Sequence, residues 1–283
     1  MVGMFDPTQA QHYCSNFSAS AGQAAGSIRD LVKSYRTGHV FPLTEGTPTF
    51  DKYRDCLLRD AERRIFLSVS NYRRSLDLMM SSAAPWAHVT LYYASFFAAS
   101  GLLEMFGCYV ANKFIVEVAN PNPFSQELRT NASIMAAMRR IGPHESFWTL
   151  FYQCSPTLRP WVTDPKLRTA LDPVNGDDTW QIDARNRVNY DTYWSLDAMS
   201  SFQQNFVVGS FPTCLQGDLS TQRSRTDLMI ELAYSFVNQF GLSTDALSVL
   251  TPAGTRGQKV QQLILNGVPP NLSSTLNWAH CVV

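Results

Sequence analysis

No Cys-x-x-Cys pair occurs in this chain, and its six cysteines (Cys14, Cys56, Cys108, Cys154, Cys214, Cys281) follow no regular framework. Zinc ribbons and disulfide scaffolds are excluded on spacing, and the thiols are expected to be reduced. An excess of charge is also missing, since Lys plus Arg and Asp plus Glu number 23 each. Net charge therefore encodes no attraction to nucleic acid or to an anionic membrane, and any polyanion site must be local. The start, MVGMFDPTQA, lacks a basic region followed by an apolar run, so no secretory leader is expected and a cytoplasmic location is. Gly-x-Ser-x-Gly is absent, which removes the commonest hydrolase signature. The run Gly254, Thr255, Arg256, Gly257, Gln258, Lys259 lacks the spacing of a phosphate loop and reads as a surface turn. His144 and Glu145 abut without a second histidine at metal-ligand spacing, so neither a metal nor a cofactor is expected. Internal repeats, heptads and long low-complexity tracts are absent too.

What is present is core-forming material. The 283 residues are 45% hydrophobic, 12% aromatic and only 16% charged, the balance of a packed globular chain. Residues 1–46 read as a weakly organised N-terminal extension with one amphipathic turn set, Ile28, Leu31, Val32 and Tyr35. Thr47 then reads as an N-cap with Pro48 at the first helical position. Phe50, Tyr53, Leu57, Ala61, Ile65, Ser68, Tyr72, Leu76 and Met79 recur at steps of three or four, which predicts a helix of about eight turns. Its remaining faces carry Lys52, Arg59, Arg63, Arg64, Arg73 and Arg74 among Asp55, Asp60 and Glu62. That mixture suits intrahelical ion pairs better than an RNA track.

Residues 86–107, WAHVTLYYASFFAASGLLEMFG, form an almost uncharged helix with no polar face, so protein or lipid must surround it. The apolar stretch over 83–103 is long enough to span a bilayer. Thr90, Ser95, Ser100, Gly101, the adjacent tyrosines and the missing basic flanks instead predict a helix buried in protein, ending at Gly107. Together these segments make a long antiparallel helical hairpin over 47–118, and CYVANKFIVEV after it reads as a strand too brief to define a sheet. Seven prolines over 119–178 predict an insertion of short helices and loops. A helix is expected from Trp180 to Phe206, then a loop holding Gly209, Pro212 and Gly217, then a helix from Thr226 to Phe240. Residues 179–245 thus complete the bundle, and 246–283 form a tail with one short helix from Val260 to Leu265. The expected class is all-α: a helical bundle with a long antiparallel hairpin and an irregular insertion.

Two patches then resemble the HEPN superfamily, helical proteins that include toxin and phage-defence ribonucleases. The first is Tyr92, Tyr93, Ala94, Phe96, Ala98, Ala99, Leu102, Leu103 and Gly107; the second is Arg185 and Asn186 followed by Tyr190. Family members that cleave RNA carry histidine after four to six intervening residues, and this chain has Tyr190 at that place. The resemblance implies a metal-independent endoribonuclease or RNA-binding protein in a toxin–antitoxin or antiviral-defence setting, with a homodimeric composite site.

Metal-free RNA cleavage needs a base near the ribose 2′-hydroxyl, an acid for the leaving oxygen and a cation for the phosphate. Arg185 suits the cation, with a planar fork matched to phosphate oxygens. Asn186 and Asn189 suit hydrogen bonds to phosphate or ribose, and Tyr190, protonated at neutral pH, is a donor rather than a base. Two other readings fit the same residues. Arg185 pairs with Asp183, Asp191 or another carboxylate and the cluster is architectural; or the chain is an inactive helical module that dimerises or docks on an effector partner. The aromatic insertion, Phe147, Trp148, Phe151, Tyr152 and Trp161, suits docking or an ordinary core equally.

Overall fold

The computed structural model describes residues 3–18, 21–22, 26–35, 40–80, 83–111, 114–121, 124–129, 142–190, 213–240 and 242. Asp6 begins the first helix, α1 (Pro7–Ser15), with a capping box: its carboxylate accepts from Gln9 N at 2.9 Å, and the Gln9 side chain accepts from Asp6 N at 3.0 Å. Phe5, Ala10, Tyr13 and Cys14 are buried, as are Ile28, Leu31 and Val32 of α2 (Ile28–Ser34). The N-terminal segment, read as weakly organised, is therefore part of the core. The Ile28, Leu31 and Val32 set follows its spacing, whereas the stripe of α1 is built from single aromatic and small residues in a polar sequence, which periodicity alone does not pick out.

Strand β1 (Val40–Thr44) leads to α3 (Pro48–Met80), where Thr47 caps the first turn by accepting from Phe50 N at 3.2 Å. Its partner α4 (Ala84–Met105) runs back along it. Ser68 donates to the Ala94 carbonyl at 2.6 Å, Arg64 meets Glu104 at 2.7 Å, and a Cβ on Gly101 would stand 3.0 Å from Ile65 Cγ1. Small residues thus let the two backbones approach closely. Gly107, at φ +78°, ends α4: its N–H donates to the Glu104 carbonyl and Cys108 N–H to the Leu103 carbonyl, both at 3.0 Å. No helix among the described residues is long and apolar enough to cross a membrane. Protein covers α4 instead, with Ala87, Leu91, Tyr92, Ala94, Ala98, Ala99, Leu102 and Leu103 all buried.

The segment after Gly107 departs from expectation. Strands β2 (Tyr109–Ala111), β3 (Phe114–Pro121) and β4 (Phe124–Arg129) join β1 in a four-stranded antiparallel sheet, ordered β1, β4, β3, β2, beside the helices. Gly3 extends the pairing, accepting from Val118 N at 3.0 Å while its N–H donates to Glu117 Oε2 at 3.0 Å. The strand was legible; the sheet was not, because its outer strand comes from residues 40–44, distant in sequence.

Beyond the sheet lie α5 (Pro143–Leu158), the short α6 (Pro165–Arg168), α7 (Trp180–Tyr190) and α8 (Thr213–Gln239). Helix α8 begins earlier than expected and includes Gly217, where the sequence predicts a loop. An interior glycine costs a helix only about 1 kcal/mol, and the rest of the 27-residue α8 carries it. The expected continuation of α7 to Phe206, the short helix at 260–265, the Gly254 turn and the tail lie outside the described residues.

Four of the arginines on α3 are ion-paired. Arg54 pairs with Asp51 and Asp55, Arg59 with Glu62, Arg64 with Asp60 and Glu104, and Arg73 with Asp77. In the insertion, Phe147, Trp148 and Phe151 are core, whereas Trp161 is 46% exposed. Cys14, Cys56, Cys108 and Cys154 are buried thiols.

Candidate functional site

Helix α7 packs on α4 and carries Arg185 onto the paired tyrosines of that helix. The guanidinium carbon lies 5.5 Å from the centre of the Tyr92 ring and 5.7 Å from that of Tyr93. Nη2 donates to the Tyr93 hydroxyl and Nη1 to Asn186 Oδ1, each at a long 3.4 Å, while Nε is buried with no partner among the described residues. No carboxylate is paired with Arg185 among the described residues; Asp183 is exposed, and Asp191 lies outside them. Aromatic faces attract a cation without neutralising it, so the fork keeps its charge and part of its donor capacity.

The other expected site residues divide. Asn186 is half-buried and touches Arg185, but Asn189 is exposed and Tyr190 is 73% exposed, and neither bonds the guanidinium.

The structure adds a residue that sequence distance concealed. His144, in the first turn of α5, places Nδ1 2.8 Å from the Tyr92 hydroxyl. Its ring centre stands 5.0 Å from Phe96, 5.7 Å from Tyr92 and 6.2 Å from Tyr93. Imidazole and guanidinium therefore share one pair of tyrosines. Burial, and then the Arg185 charge, push the His144 pKa below its ordinary value, which favours the neutral ring at pH 7. Burial raises the Tyr92 hydroxyl, which stays protonated. No side chain caps the first turn of α5, so its amide groups add partial positive charge beside the imidazole.

His144 was legible only as a histidine without metal-ligand spacing, and Tyr92 and Tyr93 only as a packing pair. What joins them is the fold of the insertion back onto α4, which leaves no periodic trace. His88, by contrast, is a core residue: Nδ1 bonds Gln222 Oε1 at 2.5 Å, and Gln222 Nε2 donates to the His88 carbonyl at 3.1 Å. No cluster of His, Cys, Asp and Glu among the described residues is arranged to hold a metal ion.

The arrangement can thus offer a cation, hydroxyl and amide donors, and a neutral imidazole to one anionic ligand. No family model, curated protein or solved structure matches this chain.

Proposed function

We propose that this protein binds or cleaves RNA, with Arg185 holding a backbone phosphate, in the toxin or phage-defence setting that its HEPN-like sequence patches imply. The observation that supports this reading is the Arg185 guanidinium seated on Tyr92 and Tyr93 with no carboxylate paired to it among the described residues. A structural arginine on a bundle seam ordinarily meets a carboxylate, as Arg54, Arg59, Arg64 and Arg73 do on α3. Arg185 keeps its charge for an external anion, and the tyrosine rings restrict its orientation.

Recombinant protein freed of nuclease contaminants should retain or cut single-stranded or transfer RNA, and Arg185→Ala should lose that behaviour. Unchanged RNA handling in the variant removes the assignment.

Tyr190 supports a second reading, that of a silent module that dimerises or docks on an effector. It stands where cleaving relatives carry histidine, and it is 73% exposed. Exposed tyrosines anchor binding surfaces. A homodimer that Tyr190→Ala dissociates, with no RNA retained, selects this reading.

A further inference from the structure

We propose that His144 is the catalytic base of the Arg185 site, supplied by α5 in place of the histidine that α7 lacks. The inference rests on the reading that Arg185 holds an RNA phosphate.

Three observations carry it. His144 and Arg185 flank the same tyrosine pair, so a phosphate on the guanidinium brings its ribose within the neighbourhood of the imidazole. The bond between His144 Nδ1 and the Tyr92 hydroxyl at 2.8 Å fixes the ring and leaves Nε2 without a partner among the described residues. His144 is half-buried rather than sealed, unlike His88 at 1% exposure. Around the imidazole stand Tyr92 and Tyr93 from α4 and Arg185 from α7, and Glu145 follows it on α5. The facing elements thus bring one fixed positive charge and two phenol rings, which favours the unprotonated imidazole.

The step needs the tautomer in which Nδ1–H donates to the Tyr92 oxygen and the lone pair sits on Nε2. Nε2 takes the proton of a ribose 2′-hydroxyl as that oxygen bonds to phosphorus, and the bond from phosphorus to the 5′ oxygen breaks. The departing oxygen takes a proton from water, and the imidazolium returns its own to solvent. Arg185 offsets the charge that gathers on the non-bridging oxygens. The products are a 2′,3′-cyclic phosphate and a 5′-hydroxyl end, with no oxidant or metal required by the balance. Tyr92 is a positioning residue in this scheme.

The test uses the full chain, a single-stranded RNA oligonucleotide for cleavage, and its 2′-deoxy counterpart for binding. His144→Gln should bind the deoxy probe within about 3-fold of wild type and cleave RNA at least about 100-fold more slowly, the usual worth of a general base. The acid limb of the wild-type pH profile should vanish in that variant. Tyr92→Phe, which keeps the ring beneath Arg185, should cleave more slowly with binding unchanged. His144→Gln that cleaves at the wild-type rate with an unaltered profile overturns the role of His144 and leaves the RNA reading standing. A wild-type rate independent of pH through the histidine range, or binding without cleavage, also overturns it, with no variant needed. Failure of wild type and Arg185→Ala alike to bind the probe overturns the parent reading instead.

Discussion

The Tyr92 ring lies beneath the Arg185 guanidinium at 5.5 Å, while its hydroxyl bonds His144 Nδ1 at 2.8 Å, so one buried side chain on α4 positions groups from two other helices. Truncation and conservative replacement at this residue should therefore diverge. Tyr92→Leu removes both relationships and a fully buried ring, and should cost about 3 kcal/mol of stability together with RNA affinity. Tyr92→Phe should retain most of the stability and all of the affinity. Urea unfolding and RNA titration of the two variants provide the check; equal loss of affinity in both would show that the ring face does not hold Arg185.

The approach of α3 and α4 at Gly101 sets a second expectation. A Cβ there would meet Ile65 Cγ1 at 3.0 Å and the Ala61 carbonyl at 3.1 Å, and the carbonyl cannot yield without moving the α3 backbone. Gly101→Val should destabilise the protein by about 2 kcal/mol through overpacking. Ile65→Ala in the same chain should relieve part of that strain. Thermal melts of the single and double variants measure the coupling, and strictly additive losses would contradict the contact.

Arg64 and Glu104 tie the same helices at 2.7 Å with side chains 19% and 3% exposed. Burial opposes charge on both, yet Glu104 and Asp60 together hold Arg64 ionised. Removing the cation in Arg64→Ala strands Glu104 in the core and should cost about 3 kcal/mol. The double variant Arg64→Met, Glu104→Leu should recover most of it. A double variant as unstable as Arg64→Ala in denaturant titration would show that the pair is not the cause.

Besides Glu104, two further buried carboxyls make stability depend on pH. Burial lifts Glu62 to about 7 against the pull of Arg59, and lifts Asp227 to about 7 against Tyr72 and Arg223. Their folded values lie above the unfolded value of about 4, so their contribution is full below about pH 4 and is lost as pH rises through about 7. His144, with a depressed folded value, acts in the opposite sense: its contribution is present above about 6.5 and is lost as pH falls through the folded pKa. Melting temperature should fall between about pH 5 and pH 8, and Glu62→Gln with Asp227→Asn should lessen that fall, the remainder belonging to Glu104. A slope unchanged by the two substitutions would assign it to other groups.

Much of the bundle could be read from the chain because its signals are local. The Thr47 cap, the apolar stripe from Phe50 to Leu76 and the stop at Gly107 each act within a turn or two, and α3 and α4 follow them. The sheet pairs residues 40–44 with 125–129, and no short window contains that register. The site divides along the same line. Arg185 and its neighbour Asn186 were legible as a motif on one helix; Tyr92 and His144 join them only through tertiary packing. Asn189 and Tyr190, grouped with Arg185 by motif spacing, are exposed on the same helix and make no bond to the guanidinium among the described residues.

The most direct test of the central claim is RNA affinity as a function of salt for wild type and Arg185→Ala. A guanidinium engaged with phosphate releases counterions, so the variant should bind more weakly and its salt slope should be shallower by about 0.7 for a single strand. Wild type and variant with the same affinity and the same slope would contradict the claim.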